Sequence, residues 1–273
     1  MHGAGNDFII VDNRSGALSR EMLPRLARRL CQRRLSVGAD GLMVVVPAQN
    51  GGDYGMLFYN SDGSLGEMCG NGARCIARYG YENGLAGEMQ RIETTAGLVV
   101  GQRISREQYR VRLNDPSRVE LSVPCPAAGA EYICSYVELG KPGIPHAIHI
   151  MDDWDSLPGR ELFKLGEALR HSPAFTKGAN VSFVKLTAED EIKAVTFERG
   201  VEDFTLACGT GSGAAVTALS LLGLVSGRDV KVHMPGGTLS ISLRLESGGV
   251  SDIMLTGPTC LVCTGELPEQ DLQ

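Results

Sequence analysis

Apolar residues at Met22, Leu23, Leu26, Ala27 and Leu30 fall on one stripe, the spacing of an amphipathic helix, and predict one over residues 19–33. Short apolar runs at 8–11, 42–46 and 54–59 are bounded by turn residues and read as buried strands. Asn60-Ser61-Asp62-Gly63-Ser64 is a polar turn cluster, and the helix predicted after it, at about 72–82, stops at the C-cap pair Asn83-Gly84. Strands follow at 90–94, 98–104 and 109–113, the first two joined at Ala96-Gly97. Asn114-Asp115-Pro116 then breaks the pattern.

Beyond that break the scheme repeats. A strand at 132–139, a helix at 160–170, strands at 181–186 and 193–197, a charged loop and a helix at 211–222 precede strands at 230–234, 239–245, 253–255 and 261–266. Each half thus runs strand, polar loop, Cys-Gly-x-Gly, small-residue helix: Cys69-Gly70-Asn71-Gly72 in the first and Cys208-Gly209-Thr210-Gly211 in the second. Asn60 stands nine positions before Cys69 and Glu198 ten before Cys208, so each half offers a polar side chain at the strand end that feeds its cysteine. Two domains are expected, 1–114 and 115–256, related by pseudo-symmetry, with a ligand cleft between them.

Composition narrows the class. The 273 residues are 43% hydrophobic and 21% charged with a net charge of −6, an ordinary globular balance that argues against nucleic acid or an anionic membrane as partner. The first residues carry no basic and apolar signal segment, and no apolar run reaches the ~20 residues of a spanning helix. The eight cysteines are therefore expected in a reducing cytoplasm, unpaired. Cys260 and Cys263 form a C-x-x-C without the second pair that a zinc site needs, so neither metal nor cofactor is expected.

A thiol at a helix N-terminus feels the positive end of the helix dipole and unpaired N–H groups, which favour the thiolate. The adjoining glycines let backbone approach an anion closely. Two such half-sites would hold one anionic group between two sulfurs. A single Cys-Gly-x-Gly is also what a buried structural cysteine looks like; it is the repetition that points to chemistry. His146 reads equally as a core histidine, and Glu198-Arg199 equally as a solvated ion pair.

Ordered along the chain, His2-Gly3-Ala4-Gly5-Asn6-Asp7-Phe8, Gly38-Ala39-Asp40-Gly41, Asn60-Ser61-Asp62-Gly63-Ser64, Cys69-Gly70-Asn71-Gly72-Ala73-Arg74-Cys75, Pro145-His146, Asn180-Val181, Glu198-Arg199-Gly200 and Ala207-Cys208-Gly209-Thr210-Gly211 resemble the diaminopimelate epimerase family. The resemblance implies an α+β fold of two pseudo-symmetric domains, each a curved, mainly antiparallel sheet or barrel wrapped around a central helix, with segment 257–273 returning as a strand to the first. It implies cofactor-independent inversion of an amino-acid α-carbon, with Cys69 and Cys208 as exchanging base and acid and His146 and Glu198 poising them. Gly70, Asn71, Gly209 and Thr210 would cradle the α-carboxylate. Asn6, Asn60, Asn180, Glu198 and Arg199 would bind the rest of the substrate, LL-diaminopimelate by this likeness, with at most a second copy, as a homodimer, for protein partner.

Three positions depart from the family pattern. Met1 directly precedes His2, where members have a short strand first; Ile144 stands where many have asparagine; and Gly41 stands where some have glutamine. All three spare the cysteine pair, so reaction type is better specified than substrate. A racemase of the same architecture acting on glutamate or histidine, or a thiol redox sensor or amino-acid-binding module, would share the same two cysteines. Proline racemase would need no distal clamp such as Arg199. A pyridoxal-phosphate enzyme would need a phosphate loop and lysine that do not stand out.

Overall fold

The computed structural model describes residues 1–66, 69–246 and 249–267. The chain divides into two units, Met1–Val111 with the described residues from Gly257 on, and Arg112–Thr256.

The first unit contains β1 (His2–Gly3), β2 (Asn6–Asp12), α1 (Leu23–Leu30), β3 (Gly41–Val46), β4 (Tyr54–Asn60), β5 (Leu65–Gly66), α2 (Gly70–Glu82), β6 (Met89–Thr94), β7 (Gly97–Arg103) and β8 (Gln108–Arg112). Most pairings are antiparallel. The exceptions are β2 with β3 and β4 with β6, and each of these parallel pairs is bridged by a helix, as parallel connections require. Helix α1 bridges the first pair and buries Leu23, Leu26, Ala27 and Leu30 against Leu42, Val44, Leu57 and Tyr59. Helix α2 bridges the second and is the centre of the unit, packed against β1, β2, β6 and β7 and buried from Gly70 through Arg78.

Small residues make that central position tenable. A Cβ on Gly72 would run into the Met43 side chain, and one on Gly101 of β7 would come 3.0 Å from Ala77 Cβ. Buried polar groups of the neighbouring strands pair around α2: Gln90 Nε2 donates to Ala77 O at 2.7 Å and Tyr54 OH donates to Gln90 Oε1 at 2.6 Å.

The second unit repeats this plan with β9 (Pro116–Ala127), β10 (Ala130–Leu139), β11 (Ile144–Ile150), α3 (Gly159–Arg170), β12 (Asn180–Ala188), β13 (Glu191–Glu198), β14 (Asp203–Thr205), α4 (Gly209–Leu221), β15 (Val230–Met234), β16 (Gly237–Glu246) and β17 (Gly249–Pro258). Strands β11 and β12 are parallel across outer helix α3, and β13 and β15 are parallel across central helix α4. The outer helix covers a core of Trp154, Leu162, Leu165, Leu169, Phe175, Val181, Phe183 and Phe197. Helix α4 is almost wholly buried. Its sequence, rich in Gly, Ala, Ser and Thr, suits a helix enclosed on every side.

The mixed α+β class with a central helix in each unit agrees with expectation, and several elements correct the sequence reading. Helix α1 spans 23–30, not 19–33, because Pro24 is tolerated only in a first turn. Strands β9 and β11 escaped notice because Pro116, Pro124, Pro126 and Pro145 argue against a strand. Short β5 and β14 lie in stretches read as polar loops. The strand expected at 261–266 does not form: the returning segment makes one antiparallel bridge, His2 with Cys260, and has no regular structure from 261 through 267, while 268–273 of the expected segment lie outside the described residues. Its partner β1 is two residues long and turns at once through Ala4 and Gly5, both at positive φ, so no further ladder is on offer.

Candidate active site

In the first unit β2 and β3 run in parallel register from Phe8 with Gly41, and β3 returns antiparallel with Gly41 opposite Asn60. Asn6, Gly41 and Asn60 therefore share one end of the sheet. Helix α2 begins at the same place. Cys69 is its N-cap with extended backbone, followed by Gly70 and Asn71 in the first turn, where backbone N–H groups lack intrahelical acceptors. Cys69 Sγ donates to Asn6 Oδ1 at 3.4 Å, and Asn71 Nδ2 lies 3.4 Å from the same oxygen. Strand β1 closes in tightly: a Cβ on Gly3 would sit 2.9 Å from Asn71 O. Asn60 Nδ2 is engaged by Ser64 Oγ at 2.9 Å within its turn.

At Gly41 an added Cβ would come 2.5 Å from Phe58 Cε2 and 2.8 Å from Tyr59 O. A glutamine has no place on this backbone.

The second unit gathers its candidate residues at equivalent strand ends. His146 on β11 is in register with Asn180 on β12, and Val181 with Phe197 of β13, so His146, Asn180 and Glu198 lie together at one sheet end. Asn180 ties these strands: its Nδ2 donates to Pro145 O at 3.1 Å and its Oδ1 accepts from Arg199 N at 2.8 Å. Arg199 is exposed, with Nη1 donating to Lys177 O at 3.1 Å. Cys208 is the N-cap of α4, its Sγ accepting from Gly211 N at 3.3 Å and lying 3.7 Å from Thr210 Oγ1. Gly211 is required, since a Cβ there would meet both Cys208 Sγ and Thr196 Oγ1 at 3.1 Å.

Electrostatics correct one expectation. The helix N-terminus was expected to lower the cysteine pKa, yet burial and then the nearby Glu198 carboxylate push the Cys208 thiol well above its ordinary value, outweighing the Thr210 and Gly211 hydrogen bonds. Cys208 is thus a thiol at neutral pH, with the Glu198 carboxylate beside it. Thr205 Oγ1 donates to Glu198 Oε1 at 2.6 Å and orients it.

His146 is fully buried and neither ring nitrogen has a hydrogen-bond partner among the described residues. Burial, with a smaller contribution from Arg199, lowers its pKa to about 3. The imidazole is neutral across the physiological range, available to accept rather than to donate a positive charge.

A stability consequence follows from that depression. From pH 6.5 down to about 3 the unfolded chain takes up a proton at this histidine that the folded chain does not, so folding weakens by about 1.4 kcal/mol per pH unit at most from this group. The urea midpoint should fall between pH 6.5 and 4 more steeply in the wild type than in His146→Leu. Parallel pH profiles for the two proteins would contradict this.

Against known proteins, the chain matches the family model described as diaminopimelate epimerase over residues 1–119 and 140–262. The diaminopimelate epimerase of Methanothrix thermoacetophila is 37% identical over 281 aligned residues, covering 100% of this chain and 96% of that protein. The chain belongs to the diaminopimelate epimerase family. It is therefore an isomerase. The family's enzyme from Aquifex aeolicus is 36% identical, covering 100% of this chain and 98% of its own. Among solved structures, a probable proline racemase from Agrobacterium radiobacter with bound carbonate superposes with a TM-score of 0.66 at 22% identity over 94% of this chain and 88% of that one. A hydroxyproline epimerase from Agrobacterium vitis with bound trans-4-hydroxy-L-proline gives 0.64 at 19%, covering 94% and 87%. At these identities the two structures share the fold with this chain.

The motifs fall at the helix starts and strand ends of both units, and some of the polar residues beside them carry no signal in the sequence. Asp40, Arg74, Thr196 and Thr205 received no role. Asp40 and Arg74 lie inside the family motifs, where the sequence shows their positions and not their partners. Thr196 lies two residues before Glu198 on β13, with its hydroxyl on Ser182 Oγ, and Thr205 reaches Glu198 only because β14 pairs with β13. No helix among the described residues is long and apolar enough to cross a membrane, and none of their His, Cys, Asp and Glu side chains group as metal ligands.

Proposed function

We propose that the chain interconverts LL- and meso-diaminopimelate without a cofactor, Cys69 and Cys208 removing and delivering the α-proton. The observation that carries this is the duplication within the two units: in each, a cysteine caps the N-terminus of a buried central helix and sits at a sheet end lined with amide or carboxylate side chains. Family membership supplies the reaction, and full-length identity to diaminopimelate epimerases supports the substrate.

The chemistry follows from those surroundings. In one direction a Cys69 thiolate takes the α-proton and the Cys208 thiol gives its own to the opposite face; the reverse direction exchanges the roles. Glu198, beside Cys208, takes up and returns its proton. As the α-carbon loses its proton, negative charge gathers on the α-carboxylate, where first-turn N–H groups at Gly70, Asn71, Gly209 and Thr210 would stabilise the transition state more than the ground state. Asn180 holds the backbone of Arg199, whose guanidinium is suited to a bidentate contact with the distal carboxylate. Asn6, Asn60 and His146 complete the binding and poising groups. We assign the reaction to the cytoplasm, where all eight cysteines, none in a disulfide, would stay reduced.

The experiment is incubation with LL- and with meso-diaminopimelate in heavy water. Solvent deuterium should enter at an α-carbon as the other isomer forms. Absence of both exchange and isomer formation, or turnover of glutamate or histidine in place of diaminopimelate, would overturn the substrate.

A further inference from the structure

We propose that Asp40 and Arg74 are positioning residues that lock the Asn6 carboxamide with its oxygen against Cys69, and thereby raise the pH at which that thiol ionises. The inference rests on the reading of Cys69 as an acid–base thiol and adds a device that sets its protonation.

The two corners of a carboxamide have nearly the same shape, so its orientation is decided by what each neighbour can do. Asp40 Oδ2 lies 2.5 Å from Asn6 Nδ2. A carboxylate only accepts, so the NH2 of Asn6 must face it. The carboxylate itself is held firmly: Asp7 N donates to Oδ2 at 3.1 Å and Arg33 Nη2 to Oδ1 at 2.9 Å. Asn6 Oδ1 is thereby turned to the other side, where Cys69 Sγ and Asn71 Nδ2 each lie at 3.4 Å.

Arg74 settles the second amide in the same way. It is fully buried on α2, and its guanidinium, which only donates, places Nη2 3.0 Å from Asn71 Oδ1 and Nη1 3.3 Å from Gly70 O. Asn71 must then present its NH2 to Asn6. Asp40, Asn6, Asn71 and Arg74 form one chain from carboxylate to guanidinium in which each amide has a single orientation. Flipping Asn6 would set oxygen against the Asp40 carboxylate at one end and NH2 against NH2 at the other.

The consequence falls on Cys69. Its S–H can donate to Asn6 Oδ1, whereas a thiolate has no proton to give and meets the negative end of the carbonyl dipole. Hydrogen bonding to the neutral form raises the pKa of an acid. Among the described residues, the charged and titratable groups near Cys69 include Arg74 and Cys75 on its own helix, the N-terminal ammonium beside Cys75, and Asp7, Arg33 and Asp40 around Asn6. Arg74 and the helix N-terminus favour the thiolate, and Asn6 Oδ1 with the two aspartates opposes it.

The test is the pH profile of Cys69 alkylation by iodoacetamide, read by peptide mass spectrometry on the whole protein without substrate. Asp40→Asn lets the Asn6 amide turn and should lower the Cys69 midpoint by about one pH unit. Asn6→Ala keeps the Asp40 charge, removes the carbonyl, and should shift the midpoint the same way. Arg33→Gln, which leaves the Asp40 carboxylate on Asn6, should not lower it. A wild-type midpoint in Asn6→Ala overturns the proposal, and does so even if Asp40→Asn shifts, because that shift would be Coulombic alone. An equal fall in Arg33→Gln also overturns it. If Asp40→Asn does not fold, Asn6→Ala decides. Because no substrate is present, the relay can fail while the heavy-water experiment still succeeds, and the reverse.

Discussion

Cys69→Ser and Cys208→Ser should each lower epimerisation by on the order of 10²–10⁴-fold, the usual contribution of one positioned acid–base group. A serine hydroxyl is a far weaker acid than a thiol and supplies neither the base nor the acid near neutral pH. The substitutions are mild in every other respect. Serine at 208 can still accept from Gly211 N, and serine at 69 can still donate to Asn6 Oδ1, so both helix starts keep their local bonds. Loss of turnover with an unchanged melting temperature would therefore report chemistry, while full activity in either single variant would sink the two-thiol mechanism. Burial of Cys208 beside Glu198 adds a directional detail. On the proposed mechanism, a Cys208 protonated at rest would serve as the acid in the direction that begins with Cys69 as base.

The second large effect is expected at Arg199. Arg199→Met removes the group suited to the distal carboxylate and should reduce kcat/KM for diaminopimelate by about 10- to 100-fold, mostly through KM. That is the equivalent of about 1.5–3 kcal/mol for a hydrogen bond to a charged group. The fold is spared, since Asn180 grips Arg199 through the main-chain N–H and only the bond to Lys177 O is lost from the side chain. An unchanged KM would remove Arg199 from substrate binding and leave the selectivity for a second amino-acid head without its charged contact.

Family, reaction class and fold class were legible from the ordered motifs, because each motif is a local backbone arrangement: a cysteine before a glycine-rich helix start, an asparagine at a strand end, a polar turn. Helix α2 and most strands could be read from periodicity for the same reason. The misreadings have local causes as well. Pro24 shortened α1, and prolines in β9 and β11 hid strands whose pairing decides their fate. The segment at 261–266 has apolar residues suited to a strand but no strand partner among the described residues, the one bridge to His2 being made by Cys260 before it.

By itself, then, the sequence determined the family and the two helix-capping cysteines, because these depend on residue types at short, fixed spacings. Tertiary structure alone decided how the surrounding groups behave. That Cys208 rests as a thiol follows from burial and a carboxylate ten residues away in the chain. That His146 stays neutral follows from its complete enclosure. That Asn6 turns its oxygen to Cys69 follows from Asp40, thirty-four residues on. Desolvation and amide orientation are set by every neighbour at once, and those neighbours meet only when the strands pair.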